Sequence, residues 1–210
     1  MEKFSGVDAD LNSVKESSVE ILDSIRSALE AIDPTQVEDM LNTLVITKAR
    51  GNKVLIVGVG RSGLVGRAFA MRLMHLGFDV YVLGETITPA MGKGDLVIVI
   101  SGSGSTTIPV TAAAIAKKAN AKVLAITSFP DSSLGKMAEK IVVIRGRRRE
   151  PREVDEYFSR QLLGEHEPLA PLGTIFEDTC MIFLDAVVVE LMKRLETSEA
   201  EMRSKHATIE

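Results

Sequence analysis

The 210-residue chain has no tryptophan, two tyrosines and a single cysteine, Cys180. One cysteine excludes an intrachain disulfide and any multi-cysteine metal site within one chain. Aromatic residues make up only 4% of the sequence, so the core has to come from Val, Ile, Leu, Ala and Met. No apolar run reaches the roughly 20 residues of a membrane-spanning helix. The start, MEKFSGVDAD, lacks the basic segment and apolar run of a secretory signal. Lys and Arg number 25 against 29 Asp and Glu, a net charge of −4, which disfavours general nucleic-acid binding. These absences point to a cytoplasmic protein without a membrane or nucleic-acid partner. A chain of this length fits one domain, with roughly 70% of its unfolded surface buried.

What is present is patterning. Val14, Ile21, Leu22, Ile25, Leu29 and Ile32 recur at helical spacing. Asp33-Pro34 restarts the chain as a cap and a first helical residue. Val37, Met40, Leu41 and Leu44 continue the stripe up to Gly51, a helix stop. These two helices are expected to cover a sheet edge or to pack against another subunit. Short apolar runs follow at Val54–Val57, Val80–Leu83, Leu96–Ile100, Val123–Thr127 and Ile141–Ile144. None shows polar alternation, as expected of strands buried on both faces. Helical segments Leu64–Leu76, Thr107–Asn120 and Ser132–Ala138 lie between them, while the link from Leu83 to Leu96 is irregular. Such alternation predicts an α/β fold, a parallel sheet with helices on both faces.

The later chain breaks this rhythm. Arg145, Arg147, Arg148, Arg149 and Arg152 cluster at the start of a polar excursion ending near Pro168. On an acidic chain such a run reads as a solvated face or an intersubunit salt-bridge strip, with RNA or a second phosphate as the alternatives. Phe176–Leu195 is a strongly apolar helix, and 197–210 a polar tail. The expected organisation is one domain over 1–210. It comprises N-terminal helices (1–51), sheet and crossover helices (52–145), the arginine-rich excursion (146–168), and the C-terminal helix and tail (169–210).

Two segments carry chemistry. Gly58-Val59-Gly60-Arg61-Ser62-Gly63 follows the first strand and opens a helix. Its glycines let the backbone approach a ligand, and the helix start supplies free N–H groups and a positive dipole end. The spacing fits a dinucleotide, with Glu85 as a ribose partner, or another phosphate ester. Ser101-Gly102-Ser103-Gly104-Ser105-Thr106 follows the third strand and opens another helix. A nest of hydroxyls and N–H groups there suits a small phosphate. In a doubly wound sheet of order 2-1-3-4-5, strands one and three are neighbours at the switch point where ligands bind. Two converging anion loops favour a compact phosphorylated metabolite over a dinucleotide.

These two loops resemble those of the sugar isomerase (SIS) domain family. Pro171-Leu172-Gly173-Thr174-Ile175-Phe176-Glu177 and Lys205-His206-Ala207-Thr208-Ile209-Glu210 resemble the segments P-[LM]-G-[ST]-x-F-E and R-H-A-N-L-E of the 6-phospho-3-hexuloisomerases. Lys205 and Thr208 stand where that pattern has Arg and Asn. The resemblance runs from about Val14 to the C-terminus. It implies a three-layer α/β/α sandwich around a five-stranded parallel sheet. It also implies interconversion of D-arabino-hex-3-ulose 6-phosphate and D-fructose 6-phosphate, with no metal or organic cofactor. A homo-oligomer, dimer or tetramer and more often the latter, is implied too, with active sites at subunit contacts.

Moving a carbonyl between adjacent carbons through an enediolate needs a base for the carbon proton and a second group for the oxygens. Glu177, in a first helical turn, is either a dipole partner or that base, and the adjacent loops favour the base. By the tail resemblance His206 is the proton relay, acting across a subunit contact. Ser62, Ser101, Gly102, Ser103 and Thr106 are expected to hold the phosphate, with Gly60 and Arg61 as further substrate contacts. Arg61 is equally suited to aim outward. His75 reads as packing or surface, and Cys180 as core. His166 lies between two glutamates, and three consecutive groups do not easily face one metal ion. The rival readings are a non-catalytic phosphosugar sensor, an isomerase for a pentose or heptose phosphate, and a dinucleotide-dependent oxidoreductase.

Overall fold

A computed structural model of the chain describes residues 11–146 and 173–206. The strands are β1 (Val54–Gly58), β2 (Val80–Val82), β3 (Leu96–Ile100), β4 (Lys122–Thr127) and β5 (Lys140–Val143). The helices are α1 (Leu11–Glu30), α2 (Pro34–Ala49), α3 (Arg61–His75), α4 (Thr107–Lys118), α5 (Thr174–Arg194) and α6 (Glu199–Ser204). All strands pair in parallel, in the order β2-β1-β3-β4-β5. The excursion arginines from Arg147 onward, His166, Pro171-Leu172 and residues 207–210 lie outside the described residues.

Alternate residues of the strands feed two separate cores, as a period of two requires. Val54, Ile56, Leu96, Ile98, Ile100, Leu124 and Ile126 point to one face, where they meet Leu44, Phe69, Leu73, Phe176, Phe183 and Leu191 of α2, α3 and α5. Leu55, Val57, Val97, Val99, Val123 and Ala125 point to the other, where Ala113 and Ala116 of α4 cover them. The small alanines let α4 lie close to the sheet. The inner strands are buried except at Gly58 and Lys122, whereas every residue of β2 is half-buried and β5 is partly exposed. The expectation of burial on both faces thus fails at the two edges, where a strand has one strand neighbour.

Both leading helices form as the spacing requires. Asp33 caps α2 through Thr35 N–H at 2.7 Å, and Gly51 follows its end with φ +66°. α2 lies along β5, where Gln36 Oε1 accepts from Val143 N–H at 2.8 Å and Asp39 pairs with Lys140 at 2.8 Å. α1 packs on α5.

Two expectations need correction. Ser132–Ala138 is not an α-helix, because only Gly135–Met137 makes a 3-10 turn. Ser132 Oγ accepts from Gly135 N–H at 3.2 Å, a local bond that competes with helix propagation. The tail also holds more structure than its polarity suggested. Ser198 and Glu201 form a capping box at the start of α6, and Met202 is buried. One apolar anchor in six residues leaves no periodic stripe to read.

Candidate active site

β1 and β3 are adjacent, with Gly58 level with Ile100, so the loops that leave them emerge side by side at the C-terminal edge of the sheet. A third segment joins them. α5 starts from Gly173, whose φ of +90° favours glycine, and its first turn lies against both loops. Phe176 is fully buried beside Gly102, where a Cβ would come within 3.0 Å of its ring. This seats the next residue, Glu177, over the start of α3.

Glu177 is 8% exposed, and Ser62, itself 7% exposed, donates its hydroxyl to Glu177 Oε1 at 3.2 Å. Arg61 Nε lies 3.6 Å from Glu177 Oε2, and Arg61 Nη2 donates to Asp178 Oδ1 at 3.0 Å. The half-exposed guanidinium therefore spans both carboxylates at the rim. The loop before it is held open by Gly60, whose backbone at φ +60°, ψ −134° is close to glycine-only. Cys180, one turn further along α5, is fully buried, and burial followed by the Glu177 carboxylate pushes its thiol well above the ordinary range. It is a core residue, as expected.

In the second loop the hydroxyls divide into two kinds. Ser101 is buried and its Oγ accepts from Gly104 N–H at 3.2 Å, which shapes the turn. Thr127, at the end of β4, braces the same turn by donating to the Gly102 carbonyl at 3.4 Å and accepting from Phe129 N–H at 3.3 Å. Ser103 and Thr106 lie further out, with their hydroxyls 3.2 Å apart, and Ser105 N–H donates to Ser103 Oγ at 3.3 Å. Thr106 begins α4 without a side-chain cap among the described residues. The helix start therefore presents N–H groups next to hydroxyls that face outward, the arrangement an anion needs.

The seven expected loop residues lie on two adjacent loops, and of them Ser62, Arg61 and Gly102 meet the first turn of α5. Ser62 is buried and its hydroxyl donates to Glu177. Ser101 shapes its loop from within. Thr127 and Asp178 were not singled out from the sequence, although a threonine ending a buried strand and a second acid in a first helical turn were visible there. Glu85, the residue a dinucleotide would use, pairs instead with Arg67 at 3.1 Å.

His206 is not brought to these loops within one chain. It follows α6 and stacks on His75, with ring centroids 4.4 Å apart and an interplanar angle of 28°. His75 ends α3, the helix whose start holds Ser62. At 1.5 Å per residue, the two ends are about 20 Å apart. Among the described residues, no three His, Cys, Asp or Glu side chains cluster to hold a metal ion. No described helix is long and apolar enough to cross a membrane.

Residues 46–154 match the SIS domain family. The chain belongs to this family. It is 35% identical over 191 residues to the 3-hexulose-6-phosphate isomerase of Bacillus subtilis, covering 91% of this chain and 96% of that one. It is 53% identical over 186 residues to an uncharacterized protein of Aeropyrum pernix, covering 89% of this chain and 87% of that one. A crystal structure from Methanococcus jannaschii, from which a 3-hexulose-6-phosphate isomerase function was inferred, superposes with a TM-score of 0.71 at 34% identity. That superposition covers 95% of this chain and 99% of the other. The five-stranded parallel sheet is the shared SIS architecture.

Proposed function

We propose that this chain is a sugar-phosphate isomerase that interconverts D-arabino-hex-3-ulose 6-phosphate and D-fructose 6-phosphate. The observation that carries the reading is the meeting of a buried carboxylate, Glu177, with two Gly/Ser loops at the sheet's switch point. Relatives named for this reaction, at 35% and 41% identity over most of the chain, narrow the substrate.

The outer part of the 101–106 loop and the start of α4 hold the 6-phosphate. Ser103 and Thr106 donate hydroxyl hydrogens and the helix start adds N–H groups, so the dianion binds without a fixed countercharge. That anchor sets the sugar's C2 and C3 against Glu177. The carboxylate takes the C2 proton, and the electrons move through a C2–C3 enediolate toward the C3 oxygen. The proton of the 2-hydroxyl passes to the C3 oxygen by way of the group that serves the oxygens, and the C2 carbonyl forms as Glu177 returns the carbon proton to C3. Ser62 and Arg61 hold the carboxylate so that it stays beside the two carbons.

His206 serves the oxygens of a neighbouring copy, since its own Glu177 is a helix length away. The faces available for such a contact are apolar. Leu64, Met71 and Met74 form an exposed stripe on α3, and Ile182 and Val189 share an exposed face of α5. On this reading the working unit is a homo-oligomer, dimer or tetramer.

The test is to incubate purified protein with fructose 6-phosphate and follow the 3-ketose by NMR, with a pentose 5-phosphate as control. Formation of the hex-3-ulose alone supports the reading. Turnover of the pentose ester only would assign another sugar, and binding without any turnover would make the chain a phosphosugar sensor.

A further inference from the structure

The histidine that the isomerase reading uses does not hang from a loose tail. The capping box of Ser198 and Glu201 starts α6, and Met202 anchors it in the core shared with α3 and α5. Lys205 then lies over Gly77, where an added Cβ would come 2.8 Å from its Nζ. Lys48 Nζ lies 3.0 Å from the same Cβ position and donates to the Gly77 carbonyl at 2.9 Å. This closed corner ends with His206, whose ring is stacked on His75 at 4.4 Å. The two rings differ in setting, since His75 is 2% exposed and His206 is exposed. One is a platform at the end of a core helix, and the other lies on it at the surface.

We infer that His75 is the positioning residue for His206, orienting its imidazole toward the active site of a neighbouring copy. The inference rests on the proposed role of His206 at substrate oxygens. A flat, buried ring restricts its stacked partner to a narrow range of tilts and positions. Proton transfer to a substrate oxygen depends steeply on such placement. His75 touches no reacting atom in this arrangement and acts only through His206.

The experiment measures steady-state isomerisation of fructose 6-phosphate in four variants: His75→Ala, His75→Phe, His206→Asn and the double His75→Ala/His206→Asn. His75→Ala is expected to lower kcat about 10- to 100-fold while leaving KM for fructose 6-phosphate within about two-fold. His75→Phe, which keeps a flat ring, is expected to restore most of the loss. On the His206→Asn background, His75→Ala is expected to add nothing, because the two residues act as one unit. Wild-type kcat in folded His75→Ala, or the same fractional loss with and without His206, would overturn the inference while leaving the isomerase reading intact. Wild-type kcat in His206→Asn would overturn the role of His206, and this inference with it. If His75→Ala does not fold, His75→Gln takes its place, with the same loss expected and full kcat as the overturning result.

Discussion

Replacing Glu177 by glutamine separates chemistry from architecture at the centre of the site. The amide has the carboxylate's shape, and its oxygen can still accept from Ser62, which now lies 3.2 Å from Oε1. What is lost structurally is the attraction to Arg61 across 3.6 Å. Arg61 keeps Asp178 at 3.0 Å, and its side chain is 54% exposed, so solvent screening limits the cost to about 1 kcal/mol or less. For a chain of this size that is a fall in Tm of about 2–4 °C. The kinetic effect is much larger, because an amide cannot take the C2 proton. Loss of a positioned general base costs about 10²–10⁴-fold in turnover, or about 2.7–5.4 kcal/mol of barrier. Isomerisation of fructose 6-phosphate and exchange of its carbon-bound hydrogen with heavy water, both followed by NMR, should fall together while phosphate-ester affinity stays. Glu177→Gln that still exchanges the proton at the wild-type rate would refute the assignment of Glu177 as base and move that role to His206.

The two loop serines should respond differently. Ser103→Ala should weaken phosphate-ester binding by about 1–3 kcal/mol in calorimetry, whereas Ser62→Ala should lower kcat with affinity nearly kept. Equal effects would erase the distinction between the outer nest and the carboxylate's support. Phe176→Ala removes a fully buried ring beside Gly102 and should cost about 3–5 kcal/mol of stability, read from the urea midpoint. Cys180 should resist a thiol reagent in the folded protein at pH 8 and label only on unfolding. Its thiol value is raised in the fold, so its contribution to stability is fully present below the ordinary thiol value and declines as pH rises above it. Light scattering at micromolar concentration should find an assembly larger than one chain. A stable monomer that turns over substrate would remove the shared role of His206.

The parts of the fold that could be read in advance were those where one physical signal acts alone. The apolar runs at Leu96–Ile100 and, up to its closing threonine, Val123–Thr127 mark the central strands because burial on both faces disfavours polar side chains there. Both Gly/Ser loops were legible because a buried strand that runs directly into glycines and hydroxyls has few other uses. The tie between Ser62 and Glu177 could not be read in advance, because the carboxylate that takes the hydroxyl lies 115 positions away. Thr127 escaped notice for the same reason, since its worth lies in a turn on the adjacent strand. The His75 and His206 contact joins two positions with no local pattern in common, and only the return of α6 to the end of α3 brings it about.

The contact between Gln36 and Val143 reaches beyond its own hydrogen bond. An outermost strand offers a row of unpaired N–H and C=O groups on which another chain can build. Here the outward N–H of Val143 is taken by a glutamine side chain, and the ion pair between Lys140 and Asp39 guards the start of the same strand. At the opposite margin, β2 is only three residues long. Among the described residues, neither border of the sheet therefore offers a long template for strand-to-strand growth. An association of copies through side chains on helices, as proposed above, can close on a few subunits instead of extending into a fibre.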